Sequence, residues 1–141
     1  MYSADEITRY VINRYINLHK PIDNLKLQKI LFYCQKEYIQ EANELLFDDT
    51  IQVTDYGFMI PSIYYKFRSW GCLNITDYQD NMDLDIFTKQ IVNYIMDKYR
   101  DTLTWYLVRD NHEEQLWKDL YIKGEYVCAN KSDLLKYYTK G

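Results

Sequence analysis

The chain has 141 residues, 48% of them apolar, and 17 basic against 21 acidic side chains give a net charge of −4. That size and apolar content fit one domain with a sizeable core, and the acidic balance supplies no field toward nucleic acid or an anionic membrane. Cys34, Cys72 and Cys128 are odd in number, far apart and without a Cys-x-x-Cys pair, which argues against a disulfide framework or a zinc knuckle.

The acidic, polar start from Met1 to Glu6 lacks the pattern of a signal peptide. No apolar run approaches the roughly 18 residues of a membrane span, so the expected location is cytoplasmic. Ser3 with Glu6 forms a capping box that opens a first helix. Its buried stripe is Ile7, Tyr10, Val11, Tyr15 and Leu18, with Arg14 inside the stripe, and His19-Lys20-Pro21 ends it. A second helix, capped by Asp23 or Asn24, runs to about Ala42. Leu27, Ile30, Leu31, Cys34 and Tyr38 form its main stripe, and Phe32 and Ile39 beside Gln28 and Gln35 widen it past half the circumference. An arc that wide predicts a central helix packed on two sides, with Lys26, Lys29, Lys36 and Gln40 on the wet face.

Ile51 to Thr54 alternates and is β-branched, which predicts a short strand, and Gly57 supplies positive φ for a turn. Pro61 starts a third helix in whose register Ile63, Phe67 and Trp70 face inward while Tyr65 and Arg68 face outward. Gly71 closes it, and residues 72–84 form a polar, acidic loop. Asp83 caps a fourth helix that buries Phe87, Ile91, Tyr94 and Ile95. Thr102 begins a fifth and Asn111 a sixth around Trp117 and Tyr121. Residues 125–129 read as a second strand, expected to pair with the first, and Asn130 caps a last helix to Tyr138. The predicted fold is mainly α: one compact domain over residues 1–141, with six to seven helices and a small two-stranded β element.

Little in the sequence supports catalysis. Four glycines build no phosphate-cradling loop, and His112-Glu113-Glu114-Gln115-Leu116 has leucine where a zincin helix needs its second histidine. The aspartates from Asp77 to Asp85 lack the central glycine and closing glutamate of a calcium loop. Tyr64 to Trp70 interleaves aromatic and basic residues as single-stranded nucleic-acid binders do, but an amphipathic helix explains the same pattern without electrostatic support for such a partner. The 16 tyrosines fit a protein-binding surface.

Asn24-Leu25-Lys26-Leu27-Gln28-Lys29-Ile30-Leu31-Phe32-Tyr33-Cys34-Gln35 closely resembles the second-helix signature of the Panacea-domain, or SocA-like phage-associated, family. Leu46-Phe47, Tyr56-Gly57-Phe58-Met59-Ile60-Pro61 with Tyr64, Asn111-His112, Leu116-Trp117 and the terminal Leu134 to Tyr138 follow in the family's order, so the resemblance covers about residues 5 to 138. Phe58, Asn111 and Leu116 depart from the family's proline, threonine and proline.

The resemblance implies a non-enzymatic antitoxin that neutralises a toxin by direct contact, or an adaptor that hands its toxin to a AAA+ protease. A phage-borne inhibitor of a bacterial defence enzyme and a transcriptional regulator are the alternatives, the latter opposed by the lack of a basic recognition helix. Neither cofactor nor membrane is implied, and the expected partner is a protein, not nucleic acid. The partner surface is expected to include Tyr56, Phe58, Tyr65 and Arg68, with Lys26 and Lys29 on the second helix. The purified protein should therefore hold no stoichiometric zinc, iron or calcium, and its Tm should not move with chelator or ATP. Elemental analysis and thermal scans check this, and a Tm shift of several degrees overturns the non-enzymatic reading.

Overall fold

A computed structural model describes residues 1–141. Seven α-helices surround a three-stranded antiparallel sheet: α1 Ala4–Asn17, α2 Asn24–Ala42, β1 Ile51–Thr54, β2 Gly57–Met59, α3 Pro61–Lys66, α4 Ile86–Tyr99, α5 Thr104–Glu113, α6 Gln115–Leu120, β3 Val127–Ala129 and α7 Lys131–Tyr138. A single 3₁₀ turn, Arg68–Trp70, follows α3. No helix is long and apolar enough to cross a membrane.

Local rules set the helix ends. Ser3 and Glu6 make the capping box of α1, and the chain leaves that helix through His19 at φ +58°. Asp23 caps α2 through the Lys26 N–H, and Asn43, at φ +58°, ends it. Asn130 and Asp133 make a second capping box on α7.

Helix α2 is the axis of the domain. Twelve of its nineteen residues are buried, including the whole run from Lys26 to Gln35. The expectation of a central helix holds, with a wider buried arc than two-sided packing requires. Gln35 pins the chain after the helix, accepting the Leu46 N–H at 2.7 Å and donating to the Phe47 carbonyl at 2.6 Å. Phe32 stacks on Phe58 with ring centroids 3.8 Å apart, joining α2 to the sheet.

The strand order is β2-β1-β3. The pairing expected between the first and last strands is present, with Ile51 opposite Ala129 and Val53 opposite Val127. A third strand was not anticipated: Gly57, expected only at a turn, keeps φ +93° and also opens β2. Phe67 and Ile63 are buried, but Trp70 is only half-buried because the helix tightens into a 3₁₀ turn before it. Asp85, not Asp83, caps α4, and its buried stripe is Thr88, Ile91, Val92, Ile95 and Met96, which leaves Phe87 and Tyr94 at the surface. Asn111 lies inside α5, fully buried, instead of starting the next helix. Arg14 pairs with Asp97 at 3.1 Å near the surface.

Because β3 completes the sheet and Leu134 and Tyr138 enter the core, deleting residues 125–141 should abolish cooperative melting followed by circular dichroism. A truncated chain that melts cooperatively at the parental temperature contradicts this architecture.

Candidate protein-binding face

The loop between β1 and β2, Asp55 and Tyr56, is held from three helices. The Trp117 indole donates to the Thr54 carbonyl at 2.9 Å, and His112 Nε2 to the Asp55 carbonyl at 2.9 Å. Since a carbonyl only accepts, His112 carries its proton on Nε2. His112, Trp117 and Tyr121 stack in series with centroids 4.2 Å apart. The Asp55 carboxylate accepts from the Tyr121 hydroxyl at 2.6 Å and from the Gly124 N–H at 3.1 Å; these bonds hold that carboxyl below its ordinary range.

From below, Lys29 reaches up from α2. Its ammonium donates to the carbonyls of Tyr56 at 2.5 Å and Phe58 at 2.9 Å. Asn111 accepts the Phe58 N–H at 3.0 Å and donates to the Tyr33 hydroxyl at 3.0 Å. Gln28 accepts the Ile60 N–H at 2.7 Å and donates to Asn24. A side chain at Gly57 has no room, because a Cβ there would lie 2.4 Å from Asn111 Oδ1. Polar groups of α2 and α5 thus stand where a fourth strand would otherwise pair.

This placement corrects the sequence reading of three residues. Lys29 is fully buried, Lys26 is 8% exposed, and Phe58 is fully buried against Phe32. Lys26 donates to the carbonyls of Arg100 and Thr102, at 3.1 and 2.7 Å, and so fastens the α4–α5 connection to α2. None of the three lies on the outer surface. Periodicity placed the lysines outside because it takes charge as a sign of solvent, whereas here backbone carbonyls replace water.

Tyr56, Tyr65 and Arg68 do face outward, with Tyr56 at 56% and Tyr65 at 60% exposure. Arg68 lies over the Tyr65 ring, 5.7 Å from its centroid. Tyr56, Met59 and Tyr64 form the ridge between two clefts. One, of about 400 Å³, runs between the start of α2, the 3₁₀ turn and the start of α5, and includes Arg68, Cys72 and Trp105. The other, about 110 Å³, lies on the outer face of the sheet between Tyr65 and Tyr126. Trp105 and Tyr126, not picked out from the sequence, are 65% and 72% exposed. Their only sequence signal was the surplus of aromatic residues.

The large cleft holds a thiol, a guanidinium and aromatic hydroxyls, and its carboxylate, Asp23, is engaged in capping α2. No group of three or more His, Cys, Asp or Glu side chains is arranged to hold a metal ion. The surface offers large, rigid aromatic area with adaptable hydroxyls, which suits contact with another macromolecule.

A small helical domain that presents such a face from a clamped hairpin is the class defined here. The family model described as "Antitoxin SocA-like, Panacea domain" matches residues 27–118, well over half of the chain, and the protein belongs to that family. No curated protein and no solved structure matches it.

Burial without a counter-charge lowers the Lys29 ammonium to about 7 from the ordinary 10.5. The unfolded chain therefore binds more protons than the folded one between these values, so stability rises with pH across that window. Above about 9 the raised thiol of buried Cys34, and above about 10 the raised hydroxyls of buried Tyr15, Tyr33 and Tyr138, act in the opposite sense. Between pH 7 and about 8.5 the wild type should thus gain stability in urea titrations, and Lys29→Met should lose most of that gain. Equal pH slopes for the two proteins contradict the assignment.

Proposed function

We propose that this domain is a non-enzymatic antitoxin that neutralises a protein toxin by direct contact through the aromatic face around Tyr56. The observation that carries the reading is the contrast within one hairpin. Side chains of α2, α5 and α6 bond its backbone, while Tyr56 at its tip projects into solvent between two clefts. A rigid backbone presenting an exposed aromatic side chain limits the ordering cost of association. Membership in the antitoxin family supports the same reading. The surrounding tyrosines, Trp105 and Arg68 are the residue types most enriched among binding anchors.

The face tolerates truncation without loss of fold, because Tyr65 and Arg68 contribute little to the core. Tyr65→Ala with Arg68→Ala should leave the Tm nearly unchanged and weaken toxin capture by about 2 kcal/mol or more. Calorimetry with the protein that co-purifies with the domain from its host reads the affinity, and wild-type affinity in the double variant places the contact elsewhere. Protection in a host lacking AAA+ proteases separates direct neutralisation, which persists there, from delivery to a protease, which does not.

A further inference from the structure

The two edges of the sheet are treated differently. On β2 the outward N–H and C=O of Phe58 are taken by Asn111 and Lys29, and the N–H of Ile60 by Gln28. Because the Phe58 groups point away from β1, alternation makes Gln52 and Thr54 the residues bonded to β2, and Ile51 and Val53 those bonded to β3. Val127 and Ala129 therefore face β1. Cys128 turns its N–H and C=O outward, where no backbone or side-chain partner meets them. Cys128 is exposed, and so are Ile122 and Tyr126 just before it, at 51% and 72%. One edge is closed by buried polar side chains; the other is open.

We propose that the open edge pairs antiparallel with β3 of a second copy of this chain, about a two-fold axis at Cys128, joining two sheets into one of six strands. The sequence around that axis is self-complementary. With Cys128 opposite its own mate, Val127 faces Ala129 of the second copy, and Glu125, just before the strand, comes beside Lys131 at the start of the second copy's α7. Glu125 and Lys131 are both exposed and have no ion-pair partner within their own chain. Two-fold symmetry forms each contact twice, as an isologous interface requires. A strand of three residues supplies few backbone bonds, so the charge pairs set the register and the apolar side chains of Ile122 and Tyr126 add buried area. The axis runs perpendicular to the sheet, so the Tyr65–Tyr126 clefts of both copies open on the same side. The dimer doubles the aromatic face described above, although its formation does not depend on that reading.

Light scattering over a concentration series tests the pairing directly. The expected mass at high concentration is twice the 17.2 kDa of the chain. Cys128→Pro removes the outward N–H and leaves the bonds of Ile51 and Val53 to β3 in place, so it should yield a folded monomer. Glu125→Lys alone should weaken dimerisation about tenfold or more, and Glu125→Lys with Lys131→Glu should restore it; this arm stands even where the proline variant misfolds. In Cys72→Ser, where Cys128 is the remaining exposed thiol, a short bis-maleimide should give a covalent dimer. A monomer mass at every concentration overturns the proposal. So does a dimer that forms as tightly in folded Cys128→Pro and Glu125→Lys as in the parent.

Discussion

The structure depends on a single requirement: the outward backbone groups of β2 are buried and must be bonded. Leaving such a group unpaired costs about 1–3 kcal/mol, and the segment from Tyr56 to Ile60 has four of them beside the core. An additional strand is the common solution. Here Lys29, Gln28 and Asn111 replace it, all three fully buried. The arrangement locks the sheet to α2 and α5 at a fixed height, since each side chain has a definite reach. It also explains why Gly57 cannot carry a side chain: Asn111 must approach the backbone to reach the Phe58 N–H.

A buried lysine without a carboxylate is an unusual solution. Its desolvation opposes folding, and the two carbonyls recover part of that cost through short, strong bonds. Methionine or leucine at this position would pack well but satisfy neither carbonyl. Glutamine is shorter and has its carbonyl oxygen at one of the positions needed for donors. Lysine alone among these combines length with several donors on one atom. The residues that most resemble the family signature are therefore those the hairpin needs: Gln28 and Lys29 on α2, Tyr56-Gly57 at its tip, and His112 and Trp117 against it.

What was legible in the sequence, and what was not, follows from the range of the interactions. Capping boxes at Ser3 and Asn130 are local, and both are present as read. The pairing of β1 with β3 was readable because two β-rich segments in a helical chain have little else to pair with. Lys29, Asn111 and Gln28 act across 27 to 53 residues of chain, and no pattern within a single helix reveals a distant carbonyl. Hydrophobic periodicity also misjudged α4. Phe87 and Tyr94 lie outside the core, Phe87 packing edge-on to Tyr38 at 5.8 Å, because the buried stripe is centred on Val92 and Met96, one position round from the aromatic residues. Of the expected partner surface, Tyr56, Tyr65 and Arg68 were readable from register near a turn, whereas Trp105 and Tyr126 join them only through the fold.

The clamped hairpin separates two demands that usually conflict in a binding loop. Recognition favours side chains free to vary, and stability favours a backbone with no freedom. At Asp55–Tyr56 the peptide carbonyls are occupied by His112 and Lys29, so the conformation is held by side chains other than the exposed Tyr56. The Tyr56 side chain makes no hydrogen bond to the rest of the chain, and its ring meets Trp105 only at a tilt, with centroids 6.4 Å apart. Substitution at Tyr56, Tyr65 or Trp105 therefore alters the outer face without disturbing what holds it. The aromatic side chains of the outer face can thus be exchanged singly, while Gln28, Lys29, Gly57 and Asn111 must stay together because each fills space or bonding left by the others.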